Sequence, residues 1–101
     1  MGYAFVYIIT NFRHTTLYTG VTNNLPVRLW EHRTKQNPTS FSARYNLCKL
    51  VYFRSFDSIE EAIKMEKYIK SKNRKWKEML ISEMNPAWED LTDYVNKIFR
   101  K

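Results

Sequence analysis

A single cysteine, Cys48, in a chain of 101 residues excludes an internal disulfide and any cysteine-built metal cluster, and it fits a reducing, cytoplasmic setting. With only two glycines and three prolines, the chain shows no low-complexity linker and no internal repeat. No stretch approaches the ~20 apolar residues of a transmembrane helix, and the opening run to Thr10 lacks both the basic start and the small-residue cleavage site of a targeting signal. Acid is the scarcer charge. Ten Asp and Glu against 17 Lys and Arg leave a net +7, an imbalance that attracts a polyanion such as nucleic acid or an acidic membrane surface, although a solvated basic face has the same composition. What is present suffices for packing: 44% apolar and 16% aromatic residues exclude disorder. The length suits one small domain over residues 1–101, ending in a helical extension over about 86–101.

Aromatic and β-branched residues dominate Tyr3 to Thr10 (YAFVYIIT), the polar run NFRHT breaks the pattern, and Thr16 to Thr22 (TLYTGVT) repeats it. These two runs predict an antiparallel hairpin, in which Gly20 leaves room for a close approach to the backbone. Asn23 or Asn24 as N-cap and Pro26 in the first turn open a helix reaching about Lys35, with Leu25, Leu29 and Trp30 as its apolar stripe. A polar loop over Gln36 to Asn46 leads to a third strand, Leu47 to Ser55, whose apolar run predicts a central place in the sheet. Ser58 and Glu61 form a capping box for a helix to about Lys72, and Asn73 to Met84 reads as another, carrying Trp76, Leu80 and Ile81 inward. Asn85-Pro86 stops it before a last amphipathic segment of Trp88, Leu91, Tyr94, Val95 and Ile98.

Three features carry possible chemistry. Glu66 falls near the middle of the stripe made by Ile59, Ala62, Ile63 and Ile69, where an unpaired carboxylate is expensive to bury. Its compensation is either a Lys or Arg partner or a hard cation such as Mg²⁺, which favours carboxylate and water ligands. Arg28 and His32 stand four apart on one helix face, beside Leu25 and Leu29. An Arg can stabilise charge building on a phosphate, and a His can move a proton near neutral pH, although an ordinary polar face has the same spacing. Tyr7 and Tyr18 sit one on each hairpin strand, either as core residues or with their hydroxyls meeting in a shared pocket, where a tyrosine whose pKa is lowered by a cation can act as base. His14, in the turn, is read as surface.

The tripeptides Phe5-Val6-Tyr7 and Tyr18-Thr19-Gly20 resemble the two that name the GIY-YIG nucleases, and the interval between them suits the family. VTNNLPVRLWEHR resembles the family's Arg and Tyr/His helix, EEAIKMEKYIK its metal-carboxylate helix, and the similarity continues through KWKEMLISEMNPAWEDL. It thus spans nearly the whole chain and is nearest to small stand-alone bacterial members resembling the N-terminal nuclease domain of the excision-repair incision subunit. The resemblance implies an α+β fold, a three-stranded antiparallel sheet flanked by helices. It also implies a metal-dependent endonuclease that hydrolyses nucleic acid, DNA rather than RNA, in repair or recombination. One Mg²⁺ or Mn²⁺ would be held by Glu66, Tyr7 or Tyr18 would help activate water, Arg28 would steady the phosphate, and His32 would serve as base or phosphate contact, with no covalent intermediate. The chain departs from the excision-repair pattern at Val21, where those members carry lysine, and at Glu78, where they carry asparagine; Asn73 and Asn85 are the nearby substitutes.

Lys64, Lys67, Lys70, Lys72, Arg74, Lys75 and Lys77 crowd one segment, and Arg33, Lys35 and Arg44 lie on or beside the loop after the first helix. Of these, Arg33, Lys35, Arg44, Lys70 and Arg74 are the candidate phosphate contacts, and Phe41 and Tyr45 are candidates to stack on a base. Two other readings compete: a nucleic-acid-binding module of the same fold without catalysis, and a protein-interaction module using Trp76, Trp88 and the terminal helix. Retention of both tyrosines, Arg28, His32 and Glu66 favours the enzyme, because binding an anion does not require a carboxylate.

Overall fold

The computed structural model describes residues 4–99, so the expected strand start at Tyr3 and the end of the expected extension, residues 100 and 101, lie outside it. Three strands, β1 (Ala4–Thr10), β2 (Leu17–Thr22) and β3 (Lys49–Phe56), form an antiparallel sheet. Among the described residues five helices accompany them: α1 (Leu25–Arg33), α2 (Phe41–Arg44), α3 (Ile59–Lys70), α4 (Arg74–Met84) and α5 (Thr92–Phe99). The α+β class and the β1–β2 hairpin are as the sequence predicts.

The order β2-β1-β3 corrects one expectation: β1, not β3, is the central strand. All seven residues of β1 are buried, whereas β3 runs out into exposed Arg54 and Ser55. A strand covered on both faces reads as a near-continuous apolar run, and β1 sustains that run for its whole length while β3 does not. Alternation then divides the core. Ala4, Val6 and Ile8 face a cluster with Val51, Ala62, Ile69 and Ile81, under α3 and α4. Phe5, Tyr7 and Ile9 face the other way, onto Leu25, Leu29, Leu47, Leu50 and Val95, under α1 and α5. Between Ile8 and Ile9 the β1–β3 register slips by one, so Ile8 pairs Tyr52 while Ile9 pairs Leu50. The extra residue, Val51, is a bulge that lets Val51 and Tyr52 both serve the first cluster.

Two smaller departures are local. Four residues of the expected loop, Phe41–Arg44, form α2, capped by Ser40, whose Oγ accepts from Ala43 N. The terminal helix begins at Thr92 rather than near Trp88, and just before it Asp90 Oδ1 accepts from Thr92 N at 3.0 Å and from Thr92 Oγ1 at 2.6 Å. The same carboxylate takes Leu50 N of β3 and, through Oδ2, the Arg33 guanidinium at 2.8 Å. Asp90 thereby ties α5, β3 and the end of α1 together. Partial burial works against its ionisation, but the hydrogen bonds from Thr92 and Leu50 and the Arg33 charge outweigh it and hold its pKa below the ordinary value. No helix among the described residues is long and apolar enough to cross a membrane.

Candidate active site

Register brings the two tyrosines together. Tyr18 lies opposite Ile9 and Gly20 lies opposite Tyr7, so the two-residue period puts Tyr7, Tyr18 and the vacant Gly20 position on one face of the sheet. The close approach expected at Gly20 is made by Tyr7 itself: a Cβ on Gly20 would stand 2.5 Å from Tyr7 Cζ. The tyrosine ring occupies the missing side chain's space and lies 6.5 Å, centroid to centroid, from Tyr18.

Helix α1 supplies the next two groups. Asn24 caps it by accepting from Val27 N, and Leu25 and Leu29 bury against the sheet, leaving Arg28 and His32 at the rim. Trp30, expected in the stripe, is instead 57% exposed, since it follows Leu29 by 100° on the side away from the sheet. His32 Nε2 is 2.8 Å from the Tyr7 hydroxyl, and its Nδ1 is 2.8 Å from Ser42 Oγ on α2. Ser42 Oγ in turn lies 3.3 Å from Ser40 Oγ. Arg28 pairs with Glu31 at 3.1 Å, but both side chains are about 40% exposed, so that pair is worth little and the guanidinium is available to an anion.

The electrostatics follow from burial. Desolvation, and then the neighbouring Tyr18, push the Tyr7 hydroxyl well above the ordinary tyrosine pKa, with Arg28 pulling the other way. Tyr7 is thus a protonated phenol at neutral pH, the opposite of the lowered pKa that a resting base would show. Desolvation and the Arg28 charge both lower the His32 pKa, with Glu31 opposing, so the imidazole is neutral at pH 7. A neutral imidazole beside a buried phenol can accept its proton.

Glu66, on α3, has its side chain only 15% exposed. Its Oε2 is 2.9 Å from Lys70 Nζ, and that ammonium also stands 5.8 Å from the Tyr18 ring centroid. The compensation the sequence demanded is therefore a lysine one turn on, and the pair sits next to Tyr18. Among the described residues no three His, Cys, Asp or Glu side chains converge into a metal cage. The donor at hand is one oxygen-bearing carboxylate already facing a cation, which suits a hard ion that keeps most of its waters. Between α1 and α2 lies a cleft of about 360 Å³ lined by Tyr18, Arg28, His32, Phe41, Ser42 and their neighbours.

Other residues chosen from sequence are placed elsewhere. Arg33 binds Asp90, Thr92 and the Cys48 carbonyl. Arg74 holds Glu78 at 2.8 Å and the carbonyls of His14 and Thr15, fastening α4 to the β1–β2 turn. Lys35 donates to Asn46 Oδ1, and Arg44 is exposed on the last turn of α2. Phe41 and Tyr45 pack at 4.7 Å with their rings tilted, and Phe41, which lines the cleft, stacks 6.0 Å from Tyr18. His14, read as surface, is half-buried: it meets Lys49 Nζ at 2.8 Å and the Trp88 ring at 5.0 Å. Trp76 and Trp88 are packed against the first core cluster rather than presented for docking. Sequence reasoning missed Ser42 and Ser40. The available signal was Ser40 as a helix cap at the end of a Pro/Ser-containing loop.

The sequence model of the GIY-YIG catalytic domain matches residues 3–85, which covers both tyrosines, α1, Ser42 and Glu66. The chain belongs to the GIY-YIG family. With the family comes a nuclease-type function and nucleic acid as the class of substrate, and GIY-YIG nucleases generally depend on a divalent metal. Relatives are similar along most of their length. A UPF0213 protein of Clostridium perfringens is 36% identical over 96 residues, 91% of this chain and 97% of its own. A UPF0213 protein of Syntrophus aciditrophicus is 35% identical over 86 residues, 85% of this chain and 97% of its own. In structure, the solution NMR fold of a UPF0213 protein from Bacillus halodurans superposes with a TM-score of 0.55 at 29% identity, covering 89% of this chain and 94% of that one.

Against the excision-repair pattern of GIY-YIG domains, Val21 is half-buried against the first core cluster and Glu78 is spent on Arg74. Neither nearby asparagine is free for chemistry. Asn73 caps α4 through Trp76 N, and Asn85 is buried with its amide on the carbonyls of Val51 and Glu89.

Proposed function

We propose that this chain is a divalent-metal-dependent endonuclease, hydrolysing phosphodiester bonds in DNA in preference to RNA, in repair or recombination in the cytoplasm. The observation that carries the reading is the grouping of Tyr18, Arg28 and His32 on one cleft, with buried Tyr7 hydrogen-bonded to His32 behind it and Lys70, the partner of Glu66, over the Tyr18 ring. A module that only bound nucleic acid would have no use for a buried phenol paired to a neutral imidazole at the cleft.

The residues divide the work. Arg28, with its guanidinium at the cleft wall, holds a non-bridging phosphate oxygen and offsets charge that builds during attack. His32 Nε2, neutral and 2.8 Å from Tyr7 Oη, takes the phenol's proton as Tyr7 takes one from the attacking water, so that a proton crosses the pair without a free phenolate at rest. Tyr18, on the cleft side of Tyr7, orients the water or the phosphate. Glu66 would hold one Mg²⁺ or Mn²⁺, which would supply Lewis acidity for attack on the phosphodiester. Lys70, beside the Tyr18 ring, and the exposed Arg44 and Lys35 are the proposed contacts to the nucleic-acid backbone. No side chain is required to form a covalent bond to the substrate.

The test is cleavage of end-labelled linear, flapped, branched and single-stranded DNA and RNA with Mg²⁺, Mn²⁺ or EDTA, for the wild type and Arg28→Ala. Metal-dependent cutting of DNA, reduced by about 10²-fold or more in the variant, is the expected result. Binding of the whole panel without cutting by the wild type refutes the enzyme and leaves the non-catalytic binding module.

A further inference from the structure

We propose that Ser42 is a positioning residue that fixes the tautomer of His32, and through it makes Tyr7 the hydrogen-bond donor of the site. The chain of contacts starts at Tyr7. Its hydroxyl is buried and must place its proton on an acceptor. The Arg28 guanidinium beside it has donors only, and Gly20, opposite it on β2, contributes no side chain. The acceptor within reach is His32 Nε2, at 2.8 Å. For Nε2 to accept, a neutral imidazole must carry its proton on Nδ1. Facing Nδ1 is the Ser42 hydroxyl, also at 2.8 Å.

Ser42 is suited to accept that proton. It is 5% exposed and set on α2 by the Ser40 cap, and the Ser40 Oγ at 3.3 Å, a contact in which either hydroxyl can donate, offers its own O–H an acceptor. In the proposed arrangement the hydrogen bonds run one way, Tyr7 to His32 to Ser42, with Ser42 free to donate on to Ser40. In the reverse arrangement Ser42 donates to Nδ1 and Nε2–H donates to Tyr7, which leaves the Tyr7 proton with no acceptor among these groups. That is a buried unsatisfied donor and the costlier state. Once His32 accepts the Tyr7 proton, both ring nitrogens are donors, and Ser42 Oγ holds the resulting imidazolium by the same hydrogen bond. The short α2 thereby has a chemical role: it orients the base from its outer side, as a carboxylate or carbonyl orients an imidazole in other sites.

The proposal rests on the reading of Tyr7 and His32 as the proton-handling pair, but its decisive measurement needs no substrate. Imidazole ¹⁵N NMR of the free, full chain, with His32 assigned by comparison with His14→Gln, reports the tautomer directly. The expected result is a protonated Nδ1 and an accepting Nε2 in the wild type, an averaged or reversed pattern in Ser42→Ala, and the wild-type pattern restored in Ser42→Thr. A wild-type His32 protonated on Nε2, or a Ser42→Ala spectrum with the tautomer unchanged, overturns the proposal. If Ser42→Ala fails to fold, the wild-type and Ser42→Thr spectra still decide it. On the substrate the panel identifies, Ser42→Ala is expected to lower kcat about 10- to 100-fold with KM nearly unchanged, and Ser42→Thr to recover it. A change confined to KM also overturns the positioning role. Absence of cleavage by the wild type would instead refute the nuclease reading and leave the tautomer result standing.

Discussion

Replacing Gly20 by alanine tests the geometry of the site through a single methyl group. The added Cβ would lie 2.5 Å from Tyr7 Cζ and 2.8 Å from Cε1, whereas comfortable carbon contacts are about 3.5–4.0 Å. Either the ring or the β2 backbone must therefore retreat by about 1 Å. Tyr7 is fully buried, with Leu25 and Leu29 in its cluster and His32 on its hydroxyl, so the ring has no open side to move into. Overpacking of this kind costs about 1–3 kcal/mol, which for a chain of this size lowers Tm by roughly 4–8 °C per kcal/mol. The larger effect is on chemistry, since a shift of about 1 Å at a reacting group costs on the order of 10²-fold in rate. Gly20→Ala should accordingly remain folded by circular dichroism, melt at a lower temperature, and lose about two orders of magnitude in cleavage. Its Tyr7–His32 hydrogen bond, read from the His32 ¹⁵N shifts, should be weakened. A variant that melts with the wild type and cuts at its rate would refute the claim that Tyr7 fills the space opposite Gly20.

Three further outcomes follow from other contacts. Asp90→Ala removes a half-exposed carboxylate that joins Leu50, Thr92 and Arg33, so after allowing for solvent screening it should cost about 1–2 kcal/mol, measured by urea unfolding; no loss would mean that α5 is held by Val95 and the aromatic contacts of Phe99 alone. Because the folded His32 pKa lies below the unfolded value near 6.5, the unfolded state binds more protons there, and stability should be full above that value and fall as pH drops through it. His14 is shifted in the same direction, so His32→Gln should make the pH dependence of Tm shallower rather than flat. For cleavage, the acid limb of the kcat/KM profile should have its midpoint below the ordinary histidine value, and a midpoint above it would contradict neutral His32 as base.

The parts of the site that were legible in the sequence are those set by short-range periodicity. Tyr7, Gly20 and Tyr18 follow from strand alternation across a short turn, and Arg28 and His32 from one helical turn beside Leu25 and Leu29. Glu66 was visible as a charge on an apolar stripe, although whether lysine or metal compensated it was not, because spacing puts Lys70 on the same face one turn on without saying whether its long, half-exposed side chain turns to the carboxylate or to solvent. What escaped was decided by tertiary contact. Helix α2 is four residues long and has too little pattern to register; Ser42 matters only because α1 brings His32 to it from ten residues away. Arg33 and Arg74 looked like phosphate contacts because nothing local pairs Arg33 with a residue 57 positions on, or Arg74 with carbonyls about 60 positions back. The place of β3 was misjudged for a related reason: an apolar run shows that a strand is covered, not which neighbour covers its edges.

The most direct measurement of the central claim is single-turnover DNA cleavage by Glu66→Gln in saturating Mg²⁺ or Mn²⁺, alongside its melting temperature and its affinity for the same DNA. The amide keeps the side chain's shape and its contact with Lys70 while removing the charge that would hold a divalent ion. The account predicts a variant that melts and binds like the wild type and cuts at least about 10²-fold more slowly. Cleavage at the wild-type rate, with metal still required, would contradict it by showing that the metal is held somewhere other than Glu66.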